Sequence, residues 1–360
     1  MKNESVYNVF DYLEWRGDLT FSEAPFNEID NLIFAVISYF DLDGYVDMGR
    51  GNEKTIKEII SEYKAPEEEK KKLITMSPYT VYSFVKAVSA TRRFGNIPIC
   101  FYENIIDEKK CMQFSAMTFL LPDKTMYVAF RGTDETLTGW KEDFMMSFGP
   151  VNAQLYATEY LNKVSSNFYY KKMHVGGHSK GGNLALWAGI HAKDKVQKRI
   201  IDLYSNDSPG FTKDIVNSEE YRKMTDKINL FVVSESLVGM LLFNEVDNCK
   251  IIDSSENGVF QHDPFSWKVL GSKFVCLDER PDLAKKADSA IGSWIDSLDD
   301  NERMAITDFI FSILESTGAK TVSELRNSKV QMLELVKKAI FSSDRKSKDM
   351  IMELIKIIIK

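Results

Sequence analysis

The run His174-Val175-Gly176-Gly177-His178-Ser179-Lys180-Gly181-Gly182-Asn183 holds one serine where side-chain bulk is nearly absent. Gly177-x-Ser179-x-Gly181 is the pattern of a nucleophile elbow, a strained strand-to-helix turn that lifts a serine hydroxyl out of the backbone. Five residues with two fixed glycines also arise by chance, so the flanks decide. Tyr169 to Val175 can serve as an incoming strand, and Asn183 to Ile190 is rich in helix formers, with small residues next to the turn. The whole stretch implies a serine nucleophile for acyl transfer.

Such a serine needs a base to take its proton, and histidine is the usual one. The chain has 4 histidines. His174 lies five residues back, roughly 16 Å down a strand. His191 lies twelve residues on, roughly 18 Å down a helix. His178 sits inside the elbow, where a side chain packs under the turn. That leaves His262, in Val259-Phe260-Gln261-His262-Asp263-Pro264-Phe265-Ser266-Trp267, a loop after the strand read at 249–253. The bland alternative is a surface histidine in a proline turn.

An acid must orient the imidazole from the carboxyl end of a strand. Asp207 follows one strand end and Glu235 the next, and both positions serve in folds of this kind. Asp207 is favoured because Ser208-Pro209-Gly210 makes a tight turn beside it; Glu235 stays open as the alternative. Either could equally be a cap or turn former. The tetrahedral oxyanion needs two amide donors. Lys180 N–H, immediately after the nucleophile, is one candidate. Thr133, at the end of Thr125-Met126-Tyr127-Val128-Ala129-Phe130-Arg131-Gly132-Thr133, is the other, with its hydroxyl steadying the loop.

The elements around these residues define three regions. Residues 1–95 read as a helical segment packing on or capping the core, with apolar faces at Asn27–Phe40, Thr55–Tyr63 and Tyr79–Arg92 and a charged spacer at Glu67–Lys72. Its apolar face from Leu32 to Phe40 raises the idea of a lid. Residues 96–280 alternate short β-rich runs with helices, as in an α/β-hydrolase with a mostly parallel sheet covered on both faces. Pro122-Asp123-Lys124 is a hairpin turn; later strands fall at 199–205, 227–233, 249–253 and 273–276. Residues 281–360 read helical, with Gly318 as a stop signal and Thr321-x-x-Glu324 as a capping box. Met350–Lys360 is apolar with two lysines, and either packs on the core or lies on a membrane surface.

Composition narrows the class. The 360 residues carry a net charge of −7, 44% hydrophobic and 28% charged residues, and 4 scattered cysteines with no CxxC pair. An acidic balance argues against nucleic acid as the main partner. The cysteines suit reduced thiols better than a disulfide frame or zinc site. The opening, Met1-Lys2-Asn3-Glu4-Ser5, is polar, the first apolar run, Leu32 to Phe40, is preceded by acids instead of a secretory signal's basic region, and no run reaches the roughly 18 apolar residues of a membrane span. A cytoplasmic location is expected. None of these patterns specifies an oligomeric state.

Val128-Ala129-Phe130-Arg131-Gly132-Thr133, Trp140 with Asp143, and Gly177-His178-Ser179-x-Gly181-Gly182 resemble the block set of the class 3 lipases. In those enzymes the Arg-Gly-Thr/Ser turn supplies the oxyanion hole. A closer resemblance is to the Mbeg-like hydrolases, a bacterial lipase-like family of unknown function. It is carried by Tyr12-Leu13-Glu14-Trp15-Arg16-Gly17-Asp18, Asn206-Asp207-Ser208-Pro209-Gly210-Phe211, Ser236-Leu237-Val238-Gly239-Met240-Leu241 and Gln261-His262-Asp263-Pro264-Phe265. The likeness covers about residues 5–277. Two departures stand out: Lys180 puts a charge next to the nucleophile where lipases carry an apolar residue, and no carboxylate stands at the lipases' Asp-x-Val-Pro, which strengthens Asp207. The implied activity is ester hydrolysis of lipase or esterase type on a small-molecule or lipid ester, without metal or organic cofactor. Thioesterase, acyltransferase and a catalytically weak binding protein are the alternatives.

Overall fold

The computed structural model describes residues 7–64, 70, 79–134, 136–146, 149–235, 238 and 246–281, with isolated positions at 304, 308, 311, 312, 318 and 320. The helical reading of 282–360, with its capping box and apolar last segment, lies outside the described residues apart from those isolated positions. So do the Glu67–Lys72 spacer and the Ser236–Leu241 block, except Lys70 and Val238.

Helix α1 (Val9–Arg16), α2 (Glu28–Ile37), the short β1 (Lys54–Thr55), α3 (Ile56–Glu62) and α4 (Val81–Ser89) come first. A hairpin of β2 (Pro98–Asp107) and β3 (Met112–Leu120) leads into β4 (Met126–Phe130). Then follow α5 (Leu137–Met145), α6 (Asn152–Asn167), β5 (Met173–His178), α7 (Lys180–His191), β6 (Ile200–Asn206), β7 (Ile228–Val233) and β8 (Cys249–Ile252). The short β9 (Val269–Leu270) and β10 (Lys273–Phe274) pair with each other, and β11 (Cys276–Leu277) closes the main sheet.

That sheet runs β1-β2-β3-β4-β5-β6-β7-β8-β11. It is antiparallel from β1 to β4, parallel from β4 to β8, and antiparallel again at β11. The parallel centre, the helices on both faces and the elbow after β5 make this an α/β-hydrolase fold. Strand β4 is buried along its whole length, as a strand covered on both faces must be. Its side chains alternate: Tyr127 and Ala129 join the core with α1, α2 and α4, while Met126, Val128 and Phe130 join the core with α6 and α7. The serine strand starts at Met173, four residues later than the sequence suggested, because Tyr169 and Tyr170 are exposed before it. Helix α1 falls within the segment read as helical though no face was assigned to it, while the β2 strand and helix α5 had no counterpart in the sequence reading.

Leu32, Ile33, Phe34 and Ile37 of α2 are fully buried in the first core. The apolar face that suggested a lid is therefore spent on the sheet. A keystone ties this segment down. Arg93 donates from Nε to Asp30 Oδ1 (2.8 Å) and from Nη2 to Asp30 Oδ2 (2.5 Å), with both side chains fully buried. Its remaining donors reach the carbonyls of Leu19, Thr20, Ala24 and Pro25. Tyr12, from the Tyr12–Asp18 block, donates to the same carboxylate at 2.8 Å. Breaking a buried pair strands a charge, so Arg93→Met is expected to cost about 3–5 kcal/mol of unfolding free energy. Urea titration of the purified protein checks this; a loss below about 1 kcal/mol would be that of an exposed pair and would refute it.

No helix among the described residues is long and apolar enough to cross a membrane. Gly318 has φ 77°, in the left-handed region that favours glycine.

Candidate active site

Strands β5 and β6 run side by side, with His178 opposite Asn206, and each chain turns sharply one residue later. Ser179 adopts φ 58° and Asp207 φ 49°, both in the left-handed region that costs a non-glycine residue energy. The surrounding bonds over-determine both turns. Ser179 N–H donates to Asn206 O (3.0 Å) and Asp207 N–H to Phe231 O (2.7 Å). Glycine is obligatory around the serine: a Cβ on Gly177 would sit 2.5 Å from Phe130 O, and one on Gly181 2.1 Å from the same oxygen. That close approach lets α7 start directly at Lys180, on top of β4 and β5.

The 3-10 turn Gly258–His262 brings His262 to the same end of the sheet. Its Nδ1 lies 2.6 Å from Asp207 Oδ2, and the two side chains are 6% and 0% exposed. Asp207 Oδ1 accepts Val233 N–H at 3.2 Å. The carboxylate is thus held by β7 and by His262, not by its own Ser208-Pro209-Gly210 turn. Asn183 holds that turn, donating to Pro209 O and Gly210 O. Glu235 meets no imidazole: its Oε2 accepts from Gly258 N–H (2.9 Å) and Gln261 Nε2 (3.3 Å), bracing the loop that carries His262. Of the two candidate acids, the structure pairs Asp207 with the histidine.

The other histidines are occupied elsewhere. His174 pairs with Asp202 (2.9 Å) and stacks on Phe26, and His191 stacks on Trp187. His178 lies under the turn, as its position in the elbow suggests, and is 1% exposed. Its Nε2 donates to His262 O (3.0 Å), so in the neutral ring Nδ1 accepts the Tyr39 hydroxyl, also at 3.0 Å. Burial, and then the nearby His262, hold its pKa well below the usual histidine range. Its ring lies 4.6 Å from that of His262. Tyr39 had no sequence signal, since its role arises only where the end of α2 meets the elbow.

The Arg131-Gly132-Thr133 turn leaves β4 beside the serine; a Cβ on Gly132 would lie 3.1 Å from Ser179 Cβ. Among the described residues, neither Thr133 N–H nor Lys180 N–H donates to a protein acceptor. The Thr133 hydroxyl donates to Asp143 Oδ2 and anchors the turn to α5. Burial pushes Asp143 up to about 6, against the opposing pull of Lys180 and Thr133. The charge of Lys180, expected next to the nucleophile, is instead carried into the interior: its ammonium meets Glu142 Oε2 at 2.5 Å and Gln113 O at 3.0 Å. Sequence reasoning missed Glu142. The available signal was a lysine in a crowded turn, which must find a carboxylate if buried.

This constellation offers a hydroxyl on a strained turn, an imidazole backed by a carboxylate, and two unpaired amides. It can do acyl transfer. Among the described residues no cluster of three or more His, Cys, Asp or Glu could hold a metal ion. A cavity of about 770 Å³ lined by Asp43, Tyr45, Lys54, Glu62 and Lys64 shares no residue with the site.

A family model described as Mbeg1-like matches residues 88–312. No curated protein matches. Solved structures similar to the chain include a Rhizomucor miehei lipase propeptide complex, at 17% identity and TM-score 0.34. The match covers 47% of this chain and 66% of that one, just under two thirds of its length. The Lip2 lipase from Yarrowia lipolytica matches at 16% identity and TM-score 0.34, over 53% of this chain and 77% of the other. A fungal lipase–inhibitor complex matches at 16% identity and TM-score 0.36, over 56% and 81%. Superpositions this loose carry no argument about activity.

Proposed function

The chain belongs to the Mbeg1-like family, and from that premise we propose that it is a serine ester hydrolase of lipase or esterase type. Ser179 Oγ attacks the acyl carbon while His262 Nε2 takes its proton, and Asp207 keeps the imidazole proton on Nδ1 and stabilises the imidazolium. The amides of Lys180 and Thr133 receive the oxyanion. His262 then protonates the leaving alcohol, and water, activated by the same imidazole, releases the acid from Ser179. This chemistry calls on no metal or organic cofactor. The substrate is a small-molecule or lipid ester met in the cytoplasm or at a membrane surface.

One observation carries the reading: the 2.6 Å contact of His262 Nδ1 with Asp207 stands at the strand end beside a serine at φ 58°. Strained left-handed residues cluster at functional sites, and here two of them flank a carboxylate-backed imidazole. The test is labelling by a fluorophosphonate probe, with peptide mapping of the adduct, beside hydrolysis of p-nitrophenyl esters from acetate to palmitate. Labelling at Ser179, absent in Ser179→Ala, is the expected result, and the chain-length profile separates esterase from lipase. A wild type that neither labels nor hydrolyses any ester would overturn the proposal in favour of a binding protein on a hydrolase fold.

A further inference from the structure

Lys180 breaks two local rules. A cation in the first turn of a helix opposes the helix dipole, and a buried ammonium is costly unless it is paired. Yet its side chain is 1% exposed at the first position of α7. It reaches Gln113 O on β3 (3.0 Å) and Glu142 Oε2 on α5 (2.5 Å), with Asp143 Oδ1 at 3.7 Å. Glu142 is fully buried and also accepts Gln113 N–H (3.0 Å) and, at the start of α6, Ala153 N–H (2.9 Å). One carboxylate thereby joins α5, β3, α6 and α7. Its neighbour Asp143 holds the Thr133 hydroxyl. The side chains of the two residues whose amides receive the oxyanion in the proposed mechanism end on adjacent residues of one helix.

We infer that the buried Lys180–Glu142 pair is a positioning device for the oxyanion hole: it locks α5, and through it the Thr133 turn, against the first turn of α7. The inference rests on the reading of Ser179 as an acyl-transfer nucleophile. The need for such a device is geometric. An oxyanion hole works when both donors stand about 2.7–3.1 Å from the position the oxygen takes in the transition state. Sheet pairing sets Phe130 against Gly177 and so aligns the ends of β4 and β5. Thr133, however, is three residues past the end of β4, beyond the reach of that pairing. Lys180 Nζ and Glu142 touch no substrate; they act through the placement of two N–H groups.

A pair that merely fills the interior could be replaced by shape-matched neutral groups without altering the chemistry, and the test exploits this. An oxoester and its thionoester differ in the atom that the hole must receive. Sulfur bonds longer and accepts more weakly, so a well-formed hole favours the oxoester and a loosened one loses that preference. The kcat and KM of full-length wild type, Lys180→Met, Glu142→Gln and the double variant are measured with p-nitrophenyl butyrate and its thiono analogue, with melting temperatures alongside. The double variant removes both charges and keeps the shapes, which guards against a single variant failing to fold. The expected result in a folded variant is a kcat lowered about 10- to 100-fold, part of what the loss of a whole donor costs. KM stays within about two-fold, and the oxoester preference collapses. An unchanged oxoester preference in a folded variant, with wild type active, overturns the inference alone. A wild type inert to esters and to the fluorophosphonate probe overturns the nucleophile reading and this inference together.

Discussion

Replacing His262 by Ala is expected to lower kcat for ester hydrolysis by about 10⁶-fold, the scale on which a serine nucleophile fails without its base. The chain offers no substitute. His178, whose ring is 4.6 Å away, donates from Nε2 to the backbone carbonyl of His262 and engages Tyr39 through Nδ1. Burial keeps it neutral, but both of its nitrogens are committed. His174 forms its own histidine–aspartate pair with Asp202 and stacks on Phe26 below the turn, where it meets no serine nucleophile. His174→Ala is therefore the matched control, with kcat near that of wild type. Steady-state rates on the best p-nitrophenyl ester check both variants. Retention of a tenth or more of wild-type kcat by His262→Ala would remove this residue from the mechanism.

Asp207→Asn tests the acid with the fold left in place, and its expected effect is a loss of about 10⁴-fold in kcat. The sign follows from the two contacts of the carboxylate. Val233 N–H donates to Oδ1, so an asparagine at 207 keeps its carbonyl there and turns its NH₂ toward His262 Nδ1. Nδ1 must then accept, the ring proton moves to Nε2, and the imidazole can no longer take the proton of Ser179. Glu235→Gln removes the other candidate acid. That carboxylate only braces the loop through Gly258 and Gln261, so a far smaller loss is expected. Melting temperatures read beside the rates separate tautomer from folding. The reverse order, Glu235→Gln inert and Asp207→Asn active, would exchange their roles.

Much of this site is legible in the sequence because its strongest constraints are local. A serine on a left-handed turn demands Gly177 and Gly181, whose absent side chains would overlap Phe130 O. Four histidines, three of them placed by spacing on the strand, in the elbow or down the helix, leave His262 by elimination. The strands at 200–206, 228–233 and 249–252 fall within a residue or two of their expected ranges, and the strand at 228–233 is buried at all but one position, where a strand covered on both faces has little freedom of composition. The bounds of helix α1 and the existence of helix α5 were not legible. Both helices hold polar and aromatic residues whose fit depends on partners far along the chain, such as Asp30 for Tyr12 and Lys180 for Glu142.

The sequence by itself determined the elbow and the hydrolase order of strands and helices, because each rests on backbone geometry or apolar pattern within a short window, and it singled out His262 by elimination. Only the tertiary structure showed which of Asp207 and Glu235 meets an imidazole. Both follow a strand end by one or two residues, and the choice depends on where the turn at 258–262 delivers its imidazole. It also decided the destination of the Lys180 charge and the burial of the Leu32–Phe40 face, which local pattern left free to be a lid. Those outcomes are set by contacts between residues tens to hundreds of positions apart, such as Lys180 with Glu142 and Asn31 with Asn206. Chain spacing carries no record of such contacts.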